Sequence, residues 1–302
     1  MDAGHEAVRI EALTKEALAP FLDFCRAYRD GLDDSFLSEG DLLKFEPGPA
    51  DPTFVAIGAG HGIIGAASLI LGGIIKPSGR ARLRILYSLY DDPLLYGRLL
   101  SQIMETAKGL TSIYVFIPDD NSKVTAAVER LGFVLERTAY SMARKACDVL
   151  PYILPHGFSI RPFAGGLDER AWCEVRNRAF ASLKGNDAPL AQEDVARMAE
   201  ADGTDGRMLM LLDGTRPVGV VRGAFEELKG TLVFDIGPLA VLPGYQGKGL
   251  GRALLRAILA YAGERRTDAV LSVDSTNESA LRLYSEEGFK KVKGFACYVL
   301  AL

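Results

Sequence analysis

The residues best suited to chemistry form a glycine-rich turn between an apolar segment and an amphipathic one. The turn reads Val241-Leu-Pro-Gly-Tyr-Gln-Gly-Lys-Gly-Leu-Gly-Arg252. Its three alternating glycines carry no side chain that would keep the backbone N–H groups away from an anion. Because a helix N-terminus favours negative charge, the turn is expected to bind a pyrophosphate, helped by two basic side chains. The predicted binding residues are Gln246, Gly247, Lys248, Gly249, Leu250, Gly251 and Arg252.

Two better-known phosphate-binding turns do not fit this sequence. The Walker pattern requires a Lys-Ser/Thr pair where the helix begins, and Gly249-Leu-Gly251 provides none. The Rossmann turn spaces its glycines differently, and Pro243 would be awkward in a central parallel strand. A solvated turn without a ligand stays open as the plain structural interpretation.

A second motif follows the turn and completes a known pattern. It reads Asn277-Glu-Ser-Ala-Leu-Arg-Leu-Tyr-Ser-Glu-Glu-Gly-Phe289, in which Asn277 suits a helix cap and Gly288 suits a helix end. Together the two motifs resemble the GNAT superfamily of N-acetyltransferases. Its turn reads Gln/Arg-x-x-Gly-x-Gly/Ala and its helix reads Asn-x-x-Ala-x-x-Leu-Tyr-x-x-x-Gly-Phe. The resemblance implies an α/β fold with a mixed, mostly antiparallel central sheet flanked by helices, and acetyl-CoA as co-substrate.

The resemblance also implies a reaction, the transfer of an acetyl group to a primary amine of a small molecule by direct attack in a ternary complex. This attack needs a base for the ammonium proton, a donor to the thioester carbonyl and an acid for the thiolate. The resemblance assigns the acid to Tyr284, whose phenol is close in acidity to an alkyl thiol, and the base to Asp235. It assigns the carbonyl donor to the Leu239 N–H and the pantetheine amide to the Val241 backbone, and it adds Asn277 to the cofactor-binding residues.

Other carboxylates stay open as the base. Asp235 lies among apolar residues in a predicted strand over 231–236, where a carboxylate is costly unless it faces a cleft. Because Asp is shorter than the family's usual Glu, we expect a bridging water. Glu226 or Glu227 could serve instead, although solvated edge charges are the plainer interpretation. The next two residues, Gly237-Pro238, predict a bend, and the resemblance implies that the pantetheine arm enters beside it.

The elements that position these residues occur twice. Asn121 to Gly132 repeats the eleven-residue distance from Asn277 to Gly288, and a predicted strand precedes each copy. We therefore expect two tandem GNAT-like domains, over 1–148 and 158–302, joined by a proline-containing linker over 149–157. The pattern predicts helices over 14–28, 169–180 and 253–261, strands over 53–57, 63–70, 113–117, 158–162 and 269–273, and a hairpin over 208–221.

The two copies differ where the chemistry is expected. In place of the glycine turn, residues 87–97 present Asp91 and Asp92, which would repel phosphates, and Val128 stands at the position of Tyr284. We predict that the first domain is non-catalytic and that the second one carries the reaction. A chain with these two copies is similar to the mycothiol-synthase type of tandem GNAT acetyltransferase.

Composition limits the class of partner. Among 302 residues, 35 basic and 39 acidic side chains leave a net charge of −4, which argues against nucleic-acid binding. The four cysteines form no Cys-x-x-Cys pair, so neither a metal site nor a disulfide framework is indicated. Residues 1–6 lack the features of a secretory leader, which predicts a cytoplasmic protein that does not bind membranes. Internal pairing of the copies favours a monomer.

Two further functions stay open at this point. A non-catalytic acyl-CoA-binding or sensing module would need the glycine turn but neither Tyr284 nor Asp235. A protein N-terminal acetyltransferase would need an open groove, which a fused second copy would partly cover. The pair of site residues therefore favours an enzyme that acts on a small amine.

Overall fold

A computed structural model describes residues 8–33, 35–71, 79–148, 151–183, 189–203, 206–228 and 230–302. The chain divides into two compact units, one of residues 1–139 with 293–302 and the other of residues 140–292. The expected domains placed residues 140–148 in the first domain and residues 293–302 in the second. The structure assigns residues 140–148 to the second unit and residues 293–302 to the first. Residues 149 and 150 of the expected linker and residues 1–7 lie outside the described residues.

The first unit is a mostly antiparallel sheet against which helices pack. Its strands follow the order β1-β2-β3-β4-β5-β12, in which only the neighbours β4 and β5 are parallel. The elements are β1 (Arg9–Ala12), α1 (Leu18–Tyr28), α2 (Glu39–Lys44), β2 (Thr53–Ile57), β3 (Ile63–Ile70), β4 (Arg80–Ser88), α3 (Pro93–Thr106), β5 (Ser112–Pro118), α4 (Ser122–Arg130), β6 (Val134–Arg144) and β12 (Lys290–Ala301).

Strand exchange completes the first unit's sheet. Residues Phe295–Ala301 of β12 pair antiparallel with Ser112–Pro118 of β5. The Tyr298 hydroxyl, on this strand, donates to a carboxylate oxygen of Glu129 at 3.2 Å. The core of this unit therefore includes a strand from the far end of the sequence.

The second unit repeats the same plan. Its strands follow the order β6-β11-β10-β9-β8-β7, and β10 and β11 are its parallel neighbours. The part of β6 that belongs to this unit begins at Tyr140, and the Arg144 Nε donates to the Glu287 carbonyl at 2.8 Å. The elements are β7 (Phe158–Pro162), α5 (Glu169–Ala179), α6 (Gln192–Asp202), β8 (Gly206–Asp213), β9 (Arg216–Leu228), β10 (Thr231–Val241), α7 (Leu250–Glu264), β11 (Ala269–Asp274) and α8 (Glu278–Glu286).

Burial explains why α7 forms where it does. Its apolar residues recur every three or four positions and are buried against the sheet, as expected of an amphipathic helix. Gly219 and Gly223 of β9 leave room for this packing, because a Cβ on them would lie 2.9 Å from Leu254 and 3.0 Å from Ile258. The helix is thus held close to the sheet with its N-terminus beside the end of β10.

The capping residues confirm the duplication. Asn121 and Asn277 each accept a hydrogen bond at 3.1 Å from the backbone N–H three residues later. Gly132 and Gly288 end the two helices with φ angles of 88° and 89°, a left-handed conformation that favours glycine. The mixed, mostly antiparallel α/β fold predicted from the resemblance is confirmed for both units.

The predicted elements differ from the observed ones mainly at their ends. The first helix begins at Leu18 rather than Thr14, whose hydroxyl accepts from the Ala17 N–H at 3.4 Å in the preceding turn. The predicted strand over 231–236 continues through Pro238 as β10. The predicted pattern lacked helices α2, α3 and α6 and strands β1, β4, β6 and β12. In the residues that the structure describes, no helix is long and apolar enough to cross a membrane.

Candidate active site

The glycine turn after β10 forms an open cradle of backbone N–H groups. Gly247 and Gly249 both have a φ of 76°, and Gly249 is the N-cap of α7. Within the described chain, the N–H groups from Gly247 to Arg252 donate to no acceptor. A Cβ on either left-handed glycine would meet nothing within 4 Å, so the turn is open to a ligand. Successive free N–H groups at a helix N-terminus are suited to phosphate oxygens.

Gln246 supports this cradle but does not extend it. Its N–H donates to the Pro243 carbonyl at 3.2 Å, and its side-chain Nε2 donates to the Val241 carbonyl at 2.9 Å. The expectation that the Gln246 N–H faces the phosphates is therefore wrong, because that N–H closes the short helical turn over Pro243–Tyr245. The side chain instead ties the turn to the end of β10.

The two predicted cations have different surroundings. The Lys248 Nζ lies 5.1 Å from the centre of the Tyr245 ring, at the side of the turn. Arg252 forms ion pairs with Glu286 and with Glu287, whose carboxylate lies 3.2 Å from the Arg252 Nε. Among the residues that the structure describes, no carboxylate pairs with Lys248, so its charge remains available. The charge of Arg252 is compensated by Glu286 and by Glu287, which also pairs with Arg256.

Helix α8 positions Tyr284 and Asn277. Asn277 caps the helix through its side-chain oxygen, which also accepts from the Ser279 hydroxyl at 3.0 Å. Tyr284 is 8% exposed, and its ring lies 5.9 Å from that of Phe289. Burial raises the pKa of Tyr284 to about 12, so the phenol stays protonated at neutral pH.

Gly251 marks the place where the turn, β10 and α8 meet. A Cβ on Gly251 would lie 3.7 Å from Leu283 and 4.0 Å from Leu239. Leu283 precedes Tyr284, and Leu239 is the predicted donor to the thioester carbonyl. The structure thus brings the start of α7 next to both elements that carry predicted catalytic groups.

Strands β10 and β11 separate beside these elements. Their parallel pairing runs from Phe234–Ala269 to Ile236–Leu271. In the described chain it goes no further, although β10 continues to Val241. The other edge of β10 stays paired with β9 through Val241, after an irregularity between Ile236 and Leu239. The bend predicted at Gly237-Pro238 is confirmed, and it leaves one edge of β10 open.

Asp235 lies just before this opening. It is paired with Ala224 of β9, so Arg222 and Glu226 are its diagonal neighbours on the same face. Its side chain is 36% exposed. Desolvation by the surrounding protein, followed by the charge of Glu226, raises the pKa of Asp235 to about 6, while Arg222 acts to lower it. The carboxylate is therefore a stronger base than an ordinary Asp and is still largely ionised at pH 7.

The sequence analysis did not identify Arg222 and Asp202 as residues of this region. Arg222 donates from Nε and Nη2 to the carboxylate of Asp202 at 2.7 and 2.6 Å. The available signal was an arginine inside the apolar run 218–224, which resembles the position of Asp235 in β10. Asp202 gave no such signal, because it lies at the end of α6.

The first unit has different residues at the corresponding positions. Tyr114 and Val270 each lie seven residues before a capping asparagine, and their partners in the parallel pairs are Arg82 and Asp235. The Arg82 guanidinium lies 4.7 Å from the rings of both Phe36 and Phe116. An arginine remains charged and has no acceptor atom, so it cannot take a proton from an amine.

The N-terminus of α3, the helix of the first unit that corresponds to α7, is also closed to anions. Asp92 caps α3 by accepting from the Leu94 N–H at 2.9 Å, and Pro93 removes one backbone donor. Val128, at the position of Tyr284, is fully buried. Among the described residues of the chain, no group of three or more His, Cys, Asp or Glu side chains could hold a metal ion.

Comparison with known proteins agrees with this geometry. The family model described as "Acetyltransferase (GNAT) family" matches residues 170–289. A mycothiol acetyltransferase of Kytococcus sedentarius is 31% identical over 65% of this chain and 67% of its own length. Another from Thermobispora bispora is 30% identical over 84% of this chain and 86% of its own length. The chain belongs to the GNAT acetyltransferase family. It is accordingly an N-acetyltransferase, and the matched residues contain the glycine turn and α8.

Solved GNAT structures share the fold across the whole chain. A GCN5-related N-acetyltransferase from Sphaerobacter thermophilus has a TM-score of 0.74 at 18% identity, covering 98% of this chain and 96% of its own. A tandem GNAT protein from the clavulanic acid biosynthesis pathway has a TM-score of 0.69 at 16% identity, covering 97% and 98%. These likenesses extend the GNAT fold to both units.

Proposed function

We propose that this protein transfers an acetyl group from acetyl-CoA to a primary amine of a small molecule, and that the second unit is the catalytic one. The observation that carries the proposal is the run of N–H groups at the N-terminus of α7, which have no acceptor among the described residues, beside an opened strand that bears a basic carboxylate. The residues fit the co-substrate, since the turn offers donors, space and Lys248 to its phosphates.

Bound acetyl-CoA supplies the acetyl thioester, and the chain's residues divide the remaining tasks. Asp235 takes a proton from the incoming ammonium, through a water where its short side chain does not reach. The Leu239 N–H donates to the carbonyl as negative charge develops on it, and the Val241 backbone holds the pantetheine amide. The Tyr284 hydroxyl donates its proton to the departing sulfur. Asn277 orders the start of α8 and so fixes the position of that hydroxyl.

The acceptor that we propose is an amine of the mycothiol type. The relatives from Kytococcus sedentarius and Thermobispora bispora, which are mycothiol acetyltransferases, support this choice. A small cationic amine also suits Glu226 and Asp235, whose negative charges lie near Arg222, a guanidinium already paired with Asp202. We further propose that the protein works as a monomer, with the first unit in a structural role.

The test is a product analysis with purified protein. It would be incubated with acetyl-CoA and mycothiol from which the acetyl group has been removed, and mass spectrometry would detect one added acetyl group on the amine. A peptide with a free N-terminus serves as the competing acceptor. Acetylation of the peptide alone would replace the proposed substrate class with a protein substrate. Binding of acetyl-CoA without transfer to any amine of a broad panel would leave only a binding function.

A further inference from the structure

A buried arginine lies between the predicted base and a second carboxylate. The side chains of Arg222 and Asp202 are 15% and 7% exposed, and they form a bidentate pair. Such a pair fixes a guanidinium in orientation as well as position, because two parallel hydrogen bonds prevent it from rotating. Asp202, at the end of α6, therefore decides where the guanidinium of β9 lies.

The fixed guanidinium stands near Asp235 without contacting it. Its Nη1 lies 3.9 Å from a carboxylate oxygen of Asp235, which is beyond hydrogen-bond distance. Its Nη2, already bonded to Asp202, lies 3.6 Å from Glu226. Arg222 also faces the irregular part of β10, since its neighbours Val221 and Gly223 pair with Leu239 and Ile236. The separation is thus set by the strand register and by Asp202 together.

Each element packed around Asp235 contributes a small set of charged or titratable groups. From β9 come Arg222 and Glu226, and from α6 comes Asp202. The partner on β11 is Val270, which carries no charge. Helix α5 packs on β9 and β10 and carries three titratable groups that are not fully exposed, Glu169, Cys173 and Arg176. Burial raises the pKa of the Cys173 thiol, so it remains neutral.

We propose that Arg222, held by Asp202, is a positioning residue that sets how strongly Asp235 attracts a proton during acetyl transfer. The inference rests on the proposed role of Asp235 as base. A guanidinium in direct contact would make Asp235 too weak a base for an ammonium. Without a guanidinium, the charges of the nearby carboxylates would raise the pKa of Asp235 further and favour its protonated form. The observed separation lies between these extremes.

The test measures the protonation of Asp235 in full-length variants. Carboxyl-carbon NMR would follow the titration of Asp235, with its signal identified by its loss in Asp235→Asn, and the acid limb of kcat/KM would be recorded in parallel. Arg222→Gln should raise the pKa of Asp235 and the midpoint of the acid limb by about one pH unit or more. A nearby opposite charge lowers a carboxyl pKa by that much, and this variant removes it. Asp202→Asn should lower the Asp235 pKa and the acid-limb midpoint, because it removes a negative charge and frees Arg222 to contact Asp235.

Arg161→Gln is the matched control. Arg161 forms another bidentate pair in the same unit, with Asp168 at 2.6 and 2.8 Å, so its loss also leaves a buried carboxylate without its guanidinium. We expect both titrations to be unchanged in this variant. If Arg222→Gln does not fold, Asp202→Asn, which preserves shape, and the double variant Asp202→Asn/Arg222→Gln carry the test.

The outcomes separate this inference from the proposed function. Unmoved titrations in Arg222→Gln and Asp202→Asn, with Asp235 still seen to titrate, would overturn the positioning role and leave the base assignment intact. Shifts of the same sign in both variants would also overturn it. An acid limb that persists in Asp235→Asn would instead remove Asp235 from the mechanism, whatever the NMR shifts show.

Discussion

Asp235 and Tyr284 are held in protonation states that suit opposite tasks. The pKa of Asp235 is raised to about 6, so at neutral pH this group is mostly an acceptor of protons. The pKa of Tyr284 is raised to about 12 by burial, so this group is a donor across the whole working range. Burial raises both pKa values by about the same amount and leaves each group in the protonation state that its task requires, and strongly perturbed groups of this kind are typical of active sites.

Loss of the phenol should slow turnover without weakening co-substrate binding. In Tyr284→Phe we expect the turnover number to fall by roughly ten-fold to a thousand-fold, since general acid catalysis usually contributes on this scale. Acetyl-CoA affinity, measured by calorimetry, should be unchanged. Tyr298→Phe removes another buried phenol, one bonded to Glu129 of the first unit, and should leave turnover unaffected. Equal rates in the natural chain and Tyr284→Phe, with chemistry rate-limiting, would assign Tyr284 to the core.

The pH profile should follow Asp235. Because a base must be ionised, kcat/KM should fall as the pH drops through the pKa of about 6. Asp235→Asn should lose most of its activity and no longer show this fall of kcat/KM, the acid limb of the profile. Asp235→Glu should retain the activity and the acid limb. Glu226→Gln should keep its turnover and move the limb downward, because the charge of Glu226 raises the pKa of Asp235. Loss of turnover in Glu226→Gln, with activity preserved in Asp235→Asn, would make Glu226 the base.

At the scale of elements, the turn before α7 should depend on a left-handed glycine. Gly249 has a φ of 76°, which a β-branched side chain adopts only with strain of about 1–3 kcal/mol. We expect Gly249→Val to abolish measurable acetyl-CoA binding in calorimetry, because the turn must change shape or its side chain covers the donors. Gly244→Ala, in the same turn but without a left-handed φ and with open space around it, should bind normally. Unchanged affinity in Gly249→Val would move the phosphates elsewhere.

The sequence predicted the elements whose signals are local. Asn277 and Gly288 flank the nine residues of α8, and Asp235 stood out as a charge in an apolar strand. The pair Arg222–Asp202 was missed because it joins residues on separate elements, which no local pattern records. The pairing of β12 with β5 was not predicted for a similar reason. Alternation sets which face of a strand is buried but does not specify the strand beside it.

At the scale of the whole molecule, the chain should bind one acetyl-CoA. In the first unit Asp92 and Pro93 close the N-terminus of α3, and Arg82 stands at the position of the base. Calorimetric titration should therefore give a stoichiometry near one, and Gly249→Val should remove the whole signal. A second binding event that survives Gly249→Val would show that the first unit also holds the co-substrate.

The division of the chain predicts which fragments fold. A fragment of residues 156–302 lacks Tyr140–Arg144, and it carries residues 293–302 without their partner β5. We expect it to aggregate, since it exposes apolar surface and an unpaired strand. A fragment of residues 140–292 holds every segment of its unit and should give a cooperative thermal transition by circular dichroism. A soluble, fully active 156–302 fragment would show that the first half has no structural role.

The exchange of β12 also bears on how the protein is made. The larger segment of the first unit ends at residue 139, but the unit's sheet is complete only when residues 293–302 have left the ribosome. At the usual rates of synthesis this delay is roughly ten to thirty seconds, far longer than a small domain needs to fold. During that interval the edge of β5 that β12 will cover is open to other strands. Yield in the cell should therefore depend on chaperones that shield nascent chains, more than for acetyltransferases whose domains close in sequence order.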